Sequence, residues 1–91
     1  MKQKYLVVIE KAENNYSAFS PDVQGCIATG ETIEDTIVNM KEALEFHLEA
    51  LDEVPEAKGL KYYIDKGIFD GTAVEENYFI AQVELRLPAI A

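Results

Sequence analysis

The sequence predicts an α+β fold: a small antiparallel or mixed sheet in the order β-β-β-α-β, with one long helix packed on one face. Three observations carry this expectation. Short runs rich in β-branched and aromatic residues, at 5–11, 16–20 and 26–31, are separated by turn residues. A long stretch beginning at Ile33 repeats apolar residues at three-four spacing. A last run, Phe79 to Leu87, alternates apolar with polar side chains.

Tyr5-Leu-Val-Val-Ile-Glu-Lys11 is the first strand. Its apolar residues fall on both faces, which places it centrally in the sheet with at least one side covered. Glu13-Asn14-Asn15 supplies turn residues that tolerate positive φ. The return strand, Tyr16 to Ser20, sets Tyr16, Ala18 and Ser20 on one face and Ser17 and Phe19 on the other. Pro21 stops it, having no N–H to give a ladder. Beyond a loop through Gly25, Cys26 to Glu31 forms the third strand.

Thr32 is placed to cap the helix, and Asp35 three residues on suits both a capping box and the positive helix end. Ile33, Ile37, Met40, Leu44, Leu48 and Leu51 line one stripe, and the pattern runs to about Glu53, before Pro55. That is roughly 30 Å of helix. The stretch 54–77 is read as an irregular insertion before the last strand. Within it, Leu60 to Lys66 suits two helical turns stopped by Gly67, and Phe69-Asp-Gly-Thr72 suits a turn. Tyr62, Tyr63 and Phe69 give this segment apolar surface to pack down. Pro88 ends the last strand. A right-handed crossover from the helix would lay that strand parallel to the first, at its free edge. Residues 1–91 thus make a single domain.

The chain has 91 residues, 48% of them hydrophobic, which suits one globular core. A domain so small has a thin stability margin, and a sheet edge invites pairing, so a homo-dimer or higher homo-oligomer is expected. No apolar run is long enough to span a bilayer, and the run after Lys4 is too short for a signal peptide. Cys26 has no second cysteine to pair with. A cytoplasmic location away from membranes is expected. Seventeen acids against 8 bases leave a net charge of −9, and the bases are scattered. No patch neutralises a run of phosphates, so direct nucleic-acid binding is not expected, whereas basic proteins are attracted.

The acids concentrate on the helix. At ~100° per residue, Glu34, Asp35, Glu42, Glu45, Glu49, Asp52 and Glu53 share the side opposite the apolar stripe, offset only by Lys41. Like charges at these spacings each cost about 0.2–0.5 kcal/mol. A solvated acidic face is one reading; a strip that meets a basic partner is the other. Val38 and Phe46 fall inside the acidic arc. They anchor an interface with Glu42, Glu45 and Glu49 around them, or the 54–77 segment covers them.

Little of the sequence resembles catalytic machinery. His47 is the only histidine and sits beside the apolar stripe, as a packed or edge residue does. Cys26 has no cationic neighbour to favour a thiolate and reads as a small core residue; a Cys26–His47 nucleophile pair is the sharper alternative. The chain lacks the Cys and His needed for zinc and has no phosphate-cradling glycine loop. No metal or cofactor is expected. The nearest approach to metal chemistry is Glu10 with Glu84, which on adjacent strands would hold one cation and support a weak metal-dependent nuclease.

Four segments in order, Tyr5-Leu-Val-Val-Ile-Glu, Tyr16-Ser-Ala-Phe-Ser-Pro-Asp-Val-Gln-Gly-Cys, Thr29-Gly-Glu-Thr-Ile-Glu-Asp and Lys41-Glu-Ala-Leu-Glu-Phe-His-Leu-Glu49, resemble the HicB antitoxin family. The match covers about residues 5–53, and the strand at 78–87 fits in placement. The resemblance implies a partial ribonuclease-H-like fold that has lost its catalytic acids. It implies a non-enzymatic protein that binds and neutralises a small basic mRNA-cleaving toxin, HicA. Many members also carry a C-terminal DNA-binding domain. Only Pro88 to Ala91 follow Leu87, so this chain is expected to be a short form without one. A homo-oligomer with no toxin partner is the alternative.

Overall fold

Tyr5 to Ile9 are buried without a break, and a strand buried on both faces belongs at the centre of its sheet. The computed structural model, which describes residues 2–51, 53–68 and 78–86, places it there. The elements in chain order are β1 (Lys2–Lys11), β2 (Tyr16–Ser20), β3 (Val23–Gly30), α1 (Ile33–Glu49), α2 (Leu60–Lys66) and β4 (Tyr78–Arg86). The sheet order is β3-β2-β1-β4, with every neighbouring pair antiparallel. This is the expected α+β arrangement of a helix laid on a sheet.

One face of β1 carries Tyr5, Val7 and Ile9 into the core, where Ala18, Val23, Cys26, Val83 and Leu85 meet Met40, Leu44 and Leu48 of α1. Leu6 and Val8 are equally buried on the other face. The N-terminus of α1 forms as its sequence dictates. Thr32 Oγ1 accepts from the Asp35 amide at 3.0 Å, and the buried Thr36 hydroxyl donates to the Thr32 carbonyl at 2.7 Å. Gly30 is packed against this turn: a Cβ there would lie 2.5 Å from Thr36 Oγ1 and 2.6 Å from Thr36 N. Only a residue without a side chain lets β3 run so directly into α1.

Three sequence expectations need correction. First, α1 stops at Glu49, not near Glu53, and Leu51 lies outside it. The last turn tightens, the Ala50 amide reaching the His47 carbonyl and the Leu51 amide the Leu48 carbonyl, both at 3.2 Å. Continuing would have carried Glu53 onto the negative helix end and then met Pro55. Second, β3 begins at Val23 and not at Cys26. Phe19 pairs with Ile27 but Ser20 with Val23, so Gln24, Gly25 and Cys26 form a bulge. Gly25, at φ 83°, makes the kink that reads as a loop in the sequence.

Third, β4 lies at the free edge of β1 as expected, but antiparallel to it, with pairs from Lys2–Arg86 to Glu10–Tyr78. The parallel expectation assumed that the helix leads straight into the strand. Instead, the chain leaving α1 is tied to the Lys2 end of β1. Tyr5 donates its hydroxyl to the Pro55 carbonyl at 2.7 Å, and the Ala57 amide donates to Gln3 Oε1 at 3.1 Å. β4 starts beside Glu10, at the opposite end of β1 from this tie. The two predicted turns at Leu60–Lys66 are α2, closed by Gly67 in the left-handed conformation at φ 75°. The expected turn at 69–72 and the end of the last strand at Leu87 and Pro88 lie outside the described residues.

Candidate interaction surface

α1 buries one stripe and presents the other to solvent. Its seventeen residues span roughly 26 Å. Val38, Glu42, Glu45, Phe46 and Glu49 are all exposed. Phe46 keeps 78% of its surface open and Val38 55%, so the described part of the segment after α1 does not cover them. An aromatic residue this exposed gives up favourable burial in the isolated chain. Both ion pairs among the described residues, Lys58–Glu56 and Lys61–Asp65, lie outside α1. The structure thus places the five sequence-predicted residues together on one exposed surface.

Sequence reasoning missed a second constellation. Asp22, just past the proline that ends β2, accepts three hydrogen bonds from three parts of the chain. Oδ2 takes the Leu6 amide at 2.9 Å, beyond the end of the β1–β2 ladder. Oδ1 takes the Lys58 amide at 3.0 Å and the Tyr63 hydroxyl at 2.6 Å. One carboxylate therefore joins β1, the segment leaving α1, and α2. Burial, and then the Asp22 carboxylate it bonds to, push the Tyr63 hydroxyl well above the usual tyrosine range. Burial and the same negative charge raise Tyr5. The Pro21-Asp22 pair was visible in the sequence. Its role was not, because the partners lie 16, 36 and 41 positions away.

Beside this clasp, a half-open groove of about 650 Å³ runs between the β3 bulge and α2, lined by Phe19, Cys26, Ile27, Tyr63 and Ile68. It offers no chemistry of its own. Burial raises the Cys26 thiol, the wrong direction for a nucleophile. His47 is half-buried in the last turn of α1, its ring 4.0 Å from where a Cβ on Gly25 would sit. Glu10 and Glu84 are not brought together. Glu10 pairs with Tyr78 and Glu84 with Lys4, which puts them about 20 Å apart along the strands. The single-cation site read from the sequence is therefore not formed. Among the described residues no group of three or more His, Cys, Asp or Glu is placed to hold a metal, and no helix is long and apolar enough to cross a membrane.

The domain is thus a helix laid on an antiparallel sheet, with an exposed acidic strip on the helix and one aspartate tying β1, the segment leaving α1 and α2 together. Comparison with known proteins gives its family. The model of the HicB-like antitoxins of bacterial toxin–antitoxin systems matches residues 5–85, and the chain belongs to that family. An uncharacterised 14.9 kDa protein of Haemophilus phage HP1 is 35% identical over 66 residues, which are 68% of this chain and 50% of that protein. A UPF0150 protein of Helicobacter pylori is 47% identical over 45 residues, 50% of this chain and 62% of that one. The chain thus spans between half and two thirds of the length of these relatives.

Among solved structures, the N-terminal domain of the Burkholderia pseudomallei antitoxin HicB superposes with a TM-score of 0.71 at 26% identity. The match covers 96% of this chain and all of that one. A chain from a HicA3–HicB3 toxin–antitoxin complex gives 0.64 at 27% identity, covering 90% of this chain and 94% of that one.

Proposed function

We propose that this chain is a cytoplasmic, non-enzymatic antitoxin that binds and neutralises a small basic HicA-type mRNA-cleaving toxin, using the outer face of α1. The observation that carries the reading is Phe46, exposed on a rigid helix and framed by Glu42, Glu45 and Glu49. An apolar anchor inside a charged rim is the usual anatomy of a protein interface. A net charge of −9 draws a basic partner and raises the encounter rate. The existence of a HicA3–HicB3 complex with a chain of this shape supports the class of partner.

Calorimetric titration with an inactivated HicA-like toxin from the same source tests the reading. Nanomolar binding that weakens as salt is added is expected. Phe46→Asp should weaken it roughly a hundredfold while leaving the melting temperature unchanged, because Phe46 makes little contribution to the core. Absence of binding would favour the second reading, a homo-oligomer without a toxin partner, to which a sheet edge unpaired among the described residues is suited.

A further inference from the structure

The β3 edge carries backbone groups that the chain leaves unused, and two hydrogen bonds give their directions. Leu6 donates its amide to Asp22 on the β2 side, so the alternate residues Val8 and Glu10 also bond toward β2. Their partners Phe19 and Ser17 then bond toward β1. Ile27 and Thr29, opposite these two in the β2–β3 ladder, therefore turn their N–H and C=O outward. The Asn39 side chain agrees: from α1 it donates to the Thr29 carbonyl at 2.8 Å. That leaves the Ile27 N–H and C=O and the Thr29 N–H without a partner among the described residues. Both residues are exposed. Two surfaces flank this edge. The Ile27 side chain shares with Phe19 and Val8 the face away from α1, and there it borders the groove with Phe19, Tyr63 and Ile68. On the other side runs α1, with Asn39 at Thr29 and His47 at Gly25. At ~100° per residue, Asp35, Glu42 and Phe46 lie within about 60° of Asn39, on the side away from the buried stripe. The acidic strip and Phe46 therefore stand beside the β3 edge.

We propose that the β3 edge belongs to the toxin-binding surface and takes an extended segment of the toxin as an added strand, its basic side chains turned to α1 and its apolar ones to the groove. The proposal rests on the toxin reading and gives that contact its form. Strand addition draws affinity from main-chain bonds and selectivity from pockets for alternate side chains. Ile27 and Thr29 supply the bonds. Successive side chains of the added strand point to opposite faces. Those on the α1 side meet the exposed Asp35, Glu42 and Phe46, and charge complementarity makes them basic. Those on the far side meet Phe19, Ile27 and Ile68, so they are apolar. The Gln24–Cys26 bulge at one end and the turn into α1 at the other keep the added strand short. A second copy pairing antiparallel here would set two acidic helix faces side by side, so the edge favours a basic partner over its own kind.

Amide exchange followed by NMR on the full chain, with and without the inactivated HicA-like toxin from the same source, tests it. In the free chain the Ile27 and Thr29 amides should exchange fast, and Ala28, bonded to β2, slowly. Toxin should slow Ile27 and Thr29 by roughly tenfold or more. Calorimetry gives the affinities, and thermal melting confirms that each variant folds. Ile27→Lys sets a charge against the partner's apolar side chains and should weaken binding roughly tenfold, whereas Ile27→Leu should not. Thr29→Pro removes only an outward N–H and should also weaken it. If that variant fails to fold, the exchange pattern and the Ile27 pair decide. Toxin that binds, and is weakened by Phe46→Asp, without slowing Ile27 and Thr29 overturns the added strand and leaves the toxin reading standing. Slow exchange of both amides in the free chain overturns it too, because the edge is then already taken. Absence of binding by wild type overturns the toxin reading and the added strand with it.

Discussion

Replacing Leu44 with alanine is expected to lower the unfolding free energy by about 3 kcal/mol. Leu44 is fully buried at the middle of the α1 stripe, between Met40 and Leu48 and against the face formed by Tyr5, Val7 and Ile9. The loss combines the transfer of a large side chain with the cavity left behind, which a strand held on both sides cannot close. A domain of this length holds only about 5–14 kcal/mol in all. The melting temperature should therefore fall by about 12–24 °C. Denaturant titration checks the figure; a loss under about 1 kcal/mol would mean that the helix is not docked through this stripe. Phe46→Ala, two residues on but facing solvent, is expected to stay within about 0.5 kcal/mol of wild type.

Asp22→Ala should cost about as much, for a different reason. It deletes no core volume but leaves the Leu6 amide and the Tyr63 hydroxyl without their acceptor. Stranding such groups costs roughly 1–3 kcal/mol each. Asp22→Asn keeps one acceptor oxygen and should lose about half as much. Hydrogen exchange gives the local readout: the Leu6 and Lys58 amides should exchange faster than their strand and loop neighbours. If they do not, the carboxylate is not what holds α2.

The same contact makes stability depend on alkaline pH. Tyr63 and Tyr5 ionise at higher pH when folded than the value of about 10 expected unfolded. The stabilisation is then fully present below pH ~10 and is lost as pH rises beyond it toward the raised folded values. Urea midpoints measured from pH 8 to 11 should fall less steeply for Tyr63→Phe than for wild type.

What could be read from the sequence is what depends on neighbours along the chain. The Thr32 cap, the buried stripe of α1, the alternation of β2 and the glycine stop of α2 all rest on spacings within a few residues, and each was found where expected. Val38, Glu42, Glu45, Phe46 and Glu49 share one helix face by the same local spacing, and the structure leaves that face exposed. What could not be read depends on partners far apart. The direction of β4 is set by which end of β1 it starts from, beside Glu10 and not beside Lys2, long after α1 has ended. The bulge at Gly25 keeps β3 in the sheet where a positive φ resembles a loop. Glu10 and Glu84 share a strand pair but not an end, and only the register tells the difference.

The pairing of β1 with β4 also has a kinetic side. β1, β2, β3 and α1 follow one another with short connections, so their contacts close small loops. β4 must find a partner laid down almost a whole chain length earlier, Arg86 beside Lys2. Closing so long a loop is favourable only once a template exists to reward it. The first half of the chain is therefore expected to fold as the nucleus, with β4 docking onto it late. Changes confined to β4 then act on how fast the native state comes apart and leave the rate of its formation nearly untouched.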